Sequence, residues 1–196
     1  MDFLTLSAST LYFPFTYLIG DIVTEIYGYR AALLFIWAGL ALELVFAVFC
    51  LLTIHITSAN LTAHSHYYII YRPMLLFVTG GVISNLASSF LNVFIISKFK
   101  VLYQGKLFWA RSITGTAISE LFMLTIIFFV SFLPQMNNLY NFFMVLLDTY
   151  IMELFYAVIF VWVGQYLVNT IKQKTGIDHY DTNISYNPFN INWTLP

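Results

Sequence analysis

Long apolar runs, interrupted at a few polar or helix-breaking points, set the pattern of this chain. A helix rising 1.5 Å per residue needs about 20 residues to cross roughly 30 Å of hydrocarbon. Runs over 31–54, 74–97, 113–133 and 142–168 meet that length. A fifth, over about 10–27, is shorter and carries Pro14, Gly20, Asp21 and Glu25. Proline is tolerated near a helix start, so this run is expected to be a broken or partly extended span. Gly28 and Pro73 mark joins, and Pro134 closes the fourth span. The pattern predicts an all-α, polytopic bundle of five spans within one transmembrane domain (1–172), followed by a loose polar tail (173–196).

Composition strengthens this reading. The chain is 60% hydrophobic and only 9% charged, against about 25% charged residues in an ordinary soluble domain. The net charge of −1 gives no basic surface for nucleic acid. Cys50 is the single cysteine and forms no internal disulfide. Met1-Asp2-Phe3 lacks the basic stretch of a signal peptide.

Charge placement gives an orientation. Every basic residue except Arg72 falls on alternate connections: Arg30, then Lys98, Lys100, Lys106 and Arg111, then Lys172 and Lys174. The positive-inside rule places those connections, and the C-terminus, in the cytoplasm. Five spans then leave residues 1–9 outside with nothing to carry them across. A sixth span ahead of Met1 would repair the count; a true five-span chain is the alternative.

The acids carry the candidate chemistry. Asp21, Glu25, Glu43, Glu120, Asp148 and Glu153 lie in or at the ends of the apolar runs, where an ionised Asp at a helix centre costs roughly 2.5–3.5 kcal/mol. Asp21 and Glu25 are four apart and share a helix face, so one of them is expected to hold a proton. Glu25 could instead pair with Arg30 at the interface. Asn85 and Asn92 share a face of a span whose small residues permit close helix approach, and their amides suit the edge of a heterocycle. Ser112, Thr116 and Glu120 repeat every four residues behind Arg111 and form one polar stripe. Asp148 opens the last span, with an exposed interfacial acid as the alternative reading, while Glu43 and Glu153 have no evident partner. His64 and His66 lack a third ligand and read as a solvated loop. Hydrolase and Walker signatures are absent, so neither an enzyme nor a cofactor is expected.

One stretch is more specific. Phe13-Pro14-Phe15-Thr16-Tyr17-Leu18-Ile19-Gly20-Asp21-Ile22-Val23-Thr24-Glu25-Ile26-Tyr27-Gly28-Tyr29-Arg30 closely resembles the signature of bacterial queuosine precursor transporters, also described as vitamin uptake transporters. Asn92 ahead of Lys98-Phe99-Lys100, Arg111-Ser112-Ile113-Thr114 with Thr116, and Asp148 match in order, so that the resemblance spans about Phe13 to Lys172. It implies six membrane helices, of which this chain lacks the first, with both ends cytoplasmic. It also implies import of 7-deazaguanine precursors such as 7-cyano-7-deazaguanine and 7-aminomethyl-7-deazaguanine across the inner membrane. Met123 stands where the family usually carries Asp, Glu120 where Asn or Gln is frequent, and the usual Lys of the last helix is missing near Met152 and Glu153.

The expected function is secondary transport of a deazapurine for queuosine salvage. Its candidate binding residues are Asp21, Glu25, Asn85, Asn92, Arg111, Ser112, Thr116, Glu120 and Asp148. Expected partners are the small-molecule cargo, the bilayer and protons, with homo-oligomerisation open and no nucleic acid. The alternatives are the binding subunit of an energy-coupling-factor importer, which needs ATPase partners, and a truncated membrane protein that does not transport.

Overall fold

Of the two expected joins, Pro73 lies inside a continuous helix, while Gly28 breaks the chain as expected. The computed structural model describes residues 9–55, 61–127, 129 and 139–190. Among them every regular element is a helix: α1 Ser9–His55, α2 Leu61–Leu102, α3 Phe108–Ile127 and α4 Leu139–Thr175. Four of these helices, over Pro14–Thr53, Gly80–Leu102, Phe108–Ile127 and Phe143–Thr175, are long and apolar enough to cross a membrane, which is fewer than the five expected.

The difference in count lies in α1. Its 47 residues would span about 70 Å if straight, more than twice the hydrocarbon thickness. Gly28 breaks it with non-helical dihedrals (φ 84°, ψ 179°). Thr16, Tyr17 and Gly20 before the break line the same cavity as Ile36, Gly39 and Glu43 after it. In a straight helix Thr16 and Glu43 would stand about 40 Å apart. The two limbs of α1 therefore lie side by side, turned at Gly28.

Other boundaries shift outward. α2 begins at Leu61 and runs through Pro73, so His64 and His66 are helical rather than in a loop. α4 continues to Thr175, seven residues past the expected end. The expected stop at Pro134 falls outside the described residues.

α1 packs on α2 and α4, α2 on α3, and α3 on α4. The bundle has a polar interior and an apolar exterior. Asp21, Glu25, Ser88, Lys100, Arg111, Ser119, Glu120 and Glu153 are all buried, whereas Leu42, Val45, Trp162 and Tyr166 are each more than half exposed. Water would drive the opposite arrangement, so the surrounding solvent is hydrocarbon. Small residues allow the buried faces to meet. A Cβ on Gly115 would stand 2.6 Å from Asn92 Oδ1, and one on Gly164 would collide with Leu18 Cδ1, so α3 and α4 approach their neighbours at glycine.

The tail is docked over its described part, not loose. His179 N–H donates to the Ile26 carbonyl (3.0 Å), and Asp181 Oδ2 accepts from Tyr29 N–H (2.8 Å) and the Ser97 hydroxyl (2.7 Å). Residues 179–181 thus satisfy a carbonyl ending the first limb and an amide opening the second, groups that any helix end leaves orphaned. Tyr29, Ala32, Leu33 and Val93 form an apolar cluster there, joined by Ile184 and Tyr186 from the tail.

Candidate functional site

Four polar features occupy the bundle. The first is an ion cluster around Glu25. Arg111 Nη1 lies 2.7 Å from Glu25 Oε2, with both side chains buried, and Lys172 Nζ lies 2.6 Å from Oε1. Lys100 Nζ donates to the Glu25 carbonyl and, at 2.6 Å, to Asp178 Oδ1, which Lys172 also approaches at 2.8 Å. Arg111 Nε further donates to the Lys106 carbonyl (3.0 Å). Three cations thus surround two carboxylates and join α1, α2, α3, α4 and the tail. Burial would otherwise raise the Asp178 carboxyl, but hydrogen bonds from Lys100 and Lys172 hold it below the usual carboxylate range.

The second feature lies one helical turn deeper. Asp21, fully buried, accepts from Asn92 Nδ2 (2.6 Å) and from the Ser112 hydroxyl. This node ties the first limb of α1 to α2 and α3. Asp21 and Glu25 share a helix face, as their spacing predicts, yet they serve different partners.

The third is a cavity of about 270 Å³, lined by Thr16, Tyr17, Gly20, Phe35, Glu43, Asn85, Ser89 and Asn92 among others. Its volume is near the lower end for small-molecule sites. Glu43 is hydrogen-bonded by the Asn85 side chain, and Asn85 is itself exposed, so the cavity reaches the surface there. Tyr17 and Phe35 supply aromatic walls.

The fourth is a carboxyl pair. Glu120 on α3 and Glu153 on α4 are 1% and 2% exposed, and their carboxyl groups are in hydrogen-bonding contact with each other. Neither Glu120 oxygen nor Glu153 Oε2 receives a hydrogen bond from any described donor. Tyr17 connects this pair to the cavity: its hydroxyl is 3.1 Å from Ser88 Oγ and 3.6 Å from Met123 Sδ, and it interacts electrostatically with both glutamates.

The nine expected residues therefore divide. Glu25 and Arg111 pair with each other; Asp21, Asn92 and Ser112 form the node; Asn85 and Asn92 line the cavity. Thr116 is buried on the face shared with Ser112 and Glu120. Asp148 is exposed on α4 and joins none of these groups. The alternative pairing of Glu25 with Arg30 is replaced by Arg111, since Arg30 is exposed. Glu43 and Glu153 gain partners across helices, which no local spacing could name. Lys100, Lys172, Asp178 and Asp181 were legible only as charges; their roles come from contacts 75 or more residues away.

An all-helical bundle with an apolar exterior, an acid-bearing interior and four helices able to cross a bilayer defines a multi-pass membrane protein. The family model described as "Putative vitamin uptake transporter" matches residues 7–167, and the chain belongs to that family. Neither the curated proteins nor the solved structures provide a match.

Proposed function

We propose that the protein imports queuosine precursors, 7-cyano-7-deazaguanine or 7-aminomethyl-7-deazaguanine, by secondary transport. The membrane is the bacterial inner membrane, with the tail and its ion cluster on the cytoplasmic side. Membership of an uptake-transporter family supports the class; the Phe13 to Arg30 signature supports the cargo. In this reading both limbs of α1 cross, making five crossing segments, because Gly28 turns the chain where Arg30 and the other inward-marking cations gather.

The cavity carries the proposal. A guanine-like edge offers adjacent N–H donors, which one carboxylate accepts together in a water-poor site. Glu43 is the carboxylate that lines the cavity, flanked by the Asn85 and Asn92 amides, with Tyr17 and Phe35 to cover the ring faces. Asp21 acts behind the lining, by holding Asn92. The ion cluster and docked tail close the path from the cavity to the cytoplasm, while Asn85 opens toward the other side. Access must therefore alternate, as in other transporters with sites between helices.

The test is uptake of labelled 7-cyano-7-deazaguanine by cells unable to make it. Expression of the protein should restore accumulation, and Glu43→Gln should reduce it at least tenfold while the protein still reaches the membrane. No uptake above the empty-vector control rules out this cargo.

A further inference from the structure

The Glu120–Glu153 contact has a chemical peculiarity that the cavity does not explain. Two carboxyl groups touch in a buried site, yet each offers only acceptor oxygens unless one carries hydrogen. Three of their four oxygens find no donor among the described residues. Fully ionised, the pair would place two like charges in contact in a low-dielectric medium, which carboxylate pairs avoid by sharing a proton. The groups facing it sharpen the point. From α1 come the Tyr17 phenol and, acting on Tyr17, Asp21; from α4 comes the Tyr150 phenol. α2 contributes the uncharged Ser88 hydroxyl through Tyr17. Lys100, Arg111 and Lys172 are already engaged at Glu25 and Asp178. Glu120 lies nine residues beyond Arg111, about 13 Å along α3.

We propose that Glu120 and Glu153 form a one-proton site whose occupancy is coupled to the cargo cavity through Tyr17. Tyr17 lines the cavity, its hydroxyl bonds to Ser88, and it interacts electrostatically with both glutamates, so a ring displaced by cargo changes the field at that proton. The pair joins α3 to α4, and losing its proton would separate them by like-charge repulsion. Proton release is thereby linked to a change in helix packing, which alternating access requires. The proton-site proposal stands on the carboxyl contact; its coupling half rests on the cavity reading above.

Two measurements keep these halves distinct. Infrared difference spectra of the purified full-length protein, taken between neutral and alkaline pH without cargo, should contain a protonated-carboxyl C=O band sensitive to deuterium. Glu120→Gln and Glu153→Gln should each remove or shift it. A band unchanged in both folded variants, or a site that responds to sodium instead of pH, overturns the proton site. In proteoliposomes, an inward proton gradient should raise accumulation of labelled 7-cyano-7-deazaguanine at least tenfold in the parent protein. Glu120→Gln should abolish that gradient effect while retaining cargo exchange, and gradient-driven accumulation equal to the parent overturns the coupling. If the infrared band behaves as expected but the probe is neither bound nor moved, the proton site stands and the cargo assignment fails.

Discussion

Replacing Asp181 tests whether the tail is a structural part of the bundle. Its Oδ2 accepts from Tyr29 N–H at 2.8 Å and from the Ser97 hydroxyl at 2.7 Å, and the residue is 4% exposed. Hydrogen bonds to a charged group contribute about 1.5–3 kcal/mol each, so truncation to alanine would cost roughly 3–6 kcal/mol if both donors stayed dry. They would not, because release of residues 176–190 admits water to the helix end. The expected loss for Asp181→Ala is therefore at the lower limit, about 3 kcal/mol. Asp181→Asn keeps an oxygen able to accept both bonds but loses the charge, and should lose about half as much. Reversible unfolding in mixed micelles, followed by circular dichroism, measures the difference. A Ser97→Ala partner closes a double-mutant cycle. Since either change removes the same bond, the double variant should lose less than the sum of the singles. Asp181→Ala within about 0.5 kcal/mol of the parent would refute the capping role, because surface substitutions alone fall in that range.

The remaining expectations concern the same end of the bundle. Gly28→Ala meets a backbone region open essentially to glycine, costing about 1–3 kcal/mol, and its Cβ would stand 2.5 Å from His179 Cδ2. Faster tryptic cleavage after Lys174 should report the tail displaced. Glu25→Gln leaves buried Arg111 without its carboxylate and beside Lys172. A loss of about 3–5 kcal/mol is expected in the same unfolding assay, with partial recovery in Glu25→Gln/Arg111→Met. Asp178 has a lowered carboxyl pKa in the folded protein. Its contribution is therefore full above the unfolded value of about 3.9 and disappears as pH falls through the lower folded value. Tail protection, followed with an acid-active protease, should weaken over that acidic window, and Asp178→Asn should flatten the response.

Membrane class and helical fold were legible in the sequence. Apolar length alone decides them, because a bilayer leaves backbone groups no partner but the helix itself. Asp21 and Glu25 were legible as a shared face for the same reason of helical period. What their spacing could not show is that they part company: Glu25 meets Arg111 from 86 residues away, and Asp21 meets Asn92 from 71. Asp148 read as well as Glu120 along the chain, yet one is exposed and the other buried. Helix rotation separates them, and rotation is set by packing rather than by position.

Reading along the chain was enough to place it in a membrane and to find acids on its apolar runs. Folding alone chose which acid is neutralised by cations, which lines a cavity, and which is left touching another acid. The difference is one of range. Hydrophobic period and helix breaking act within a few residues, whereas a buried charge is satisfied by whichever group the fold delivers across the bundle. Glu43 and Glu153 show the consequence: unreadable along the chain, they stand at the cavity and at the proposed proton site.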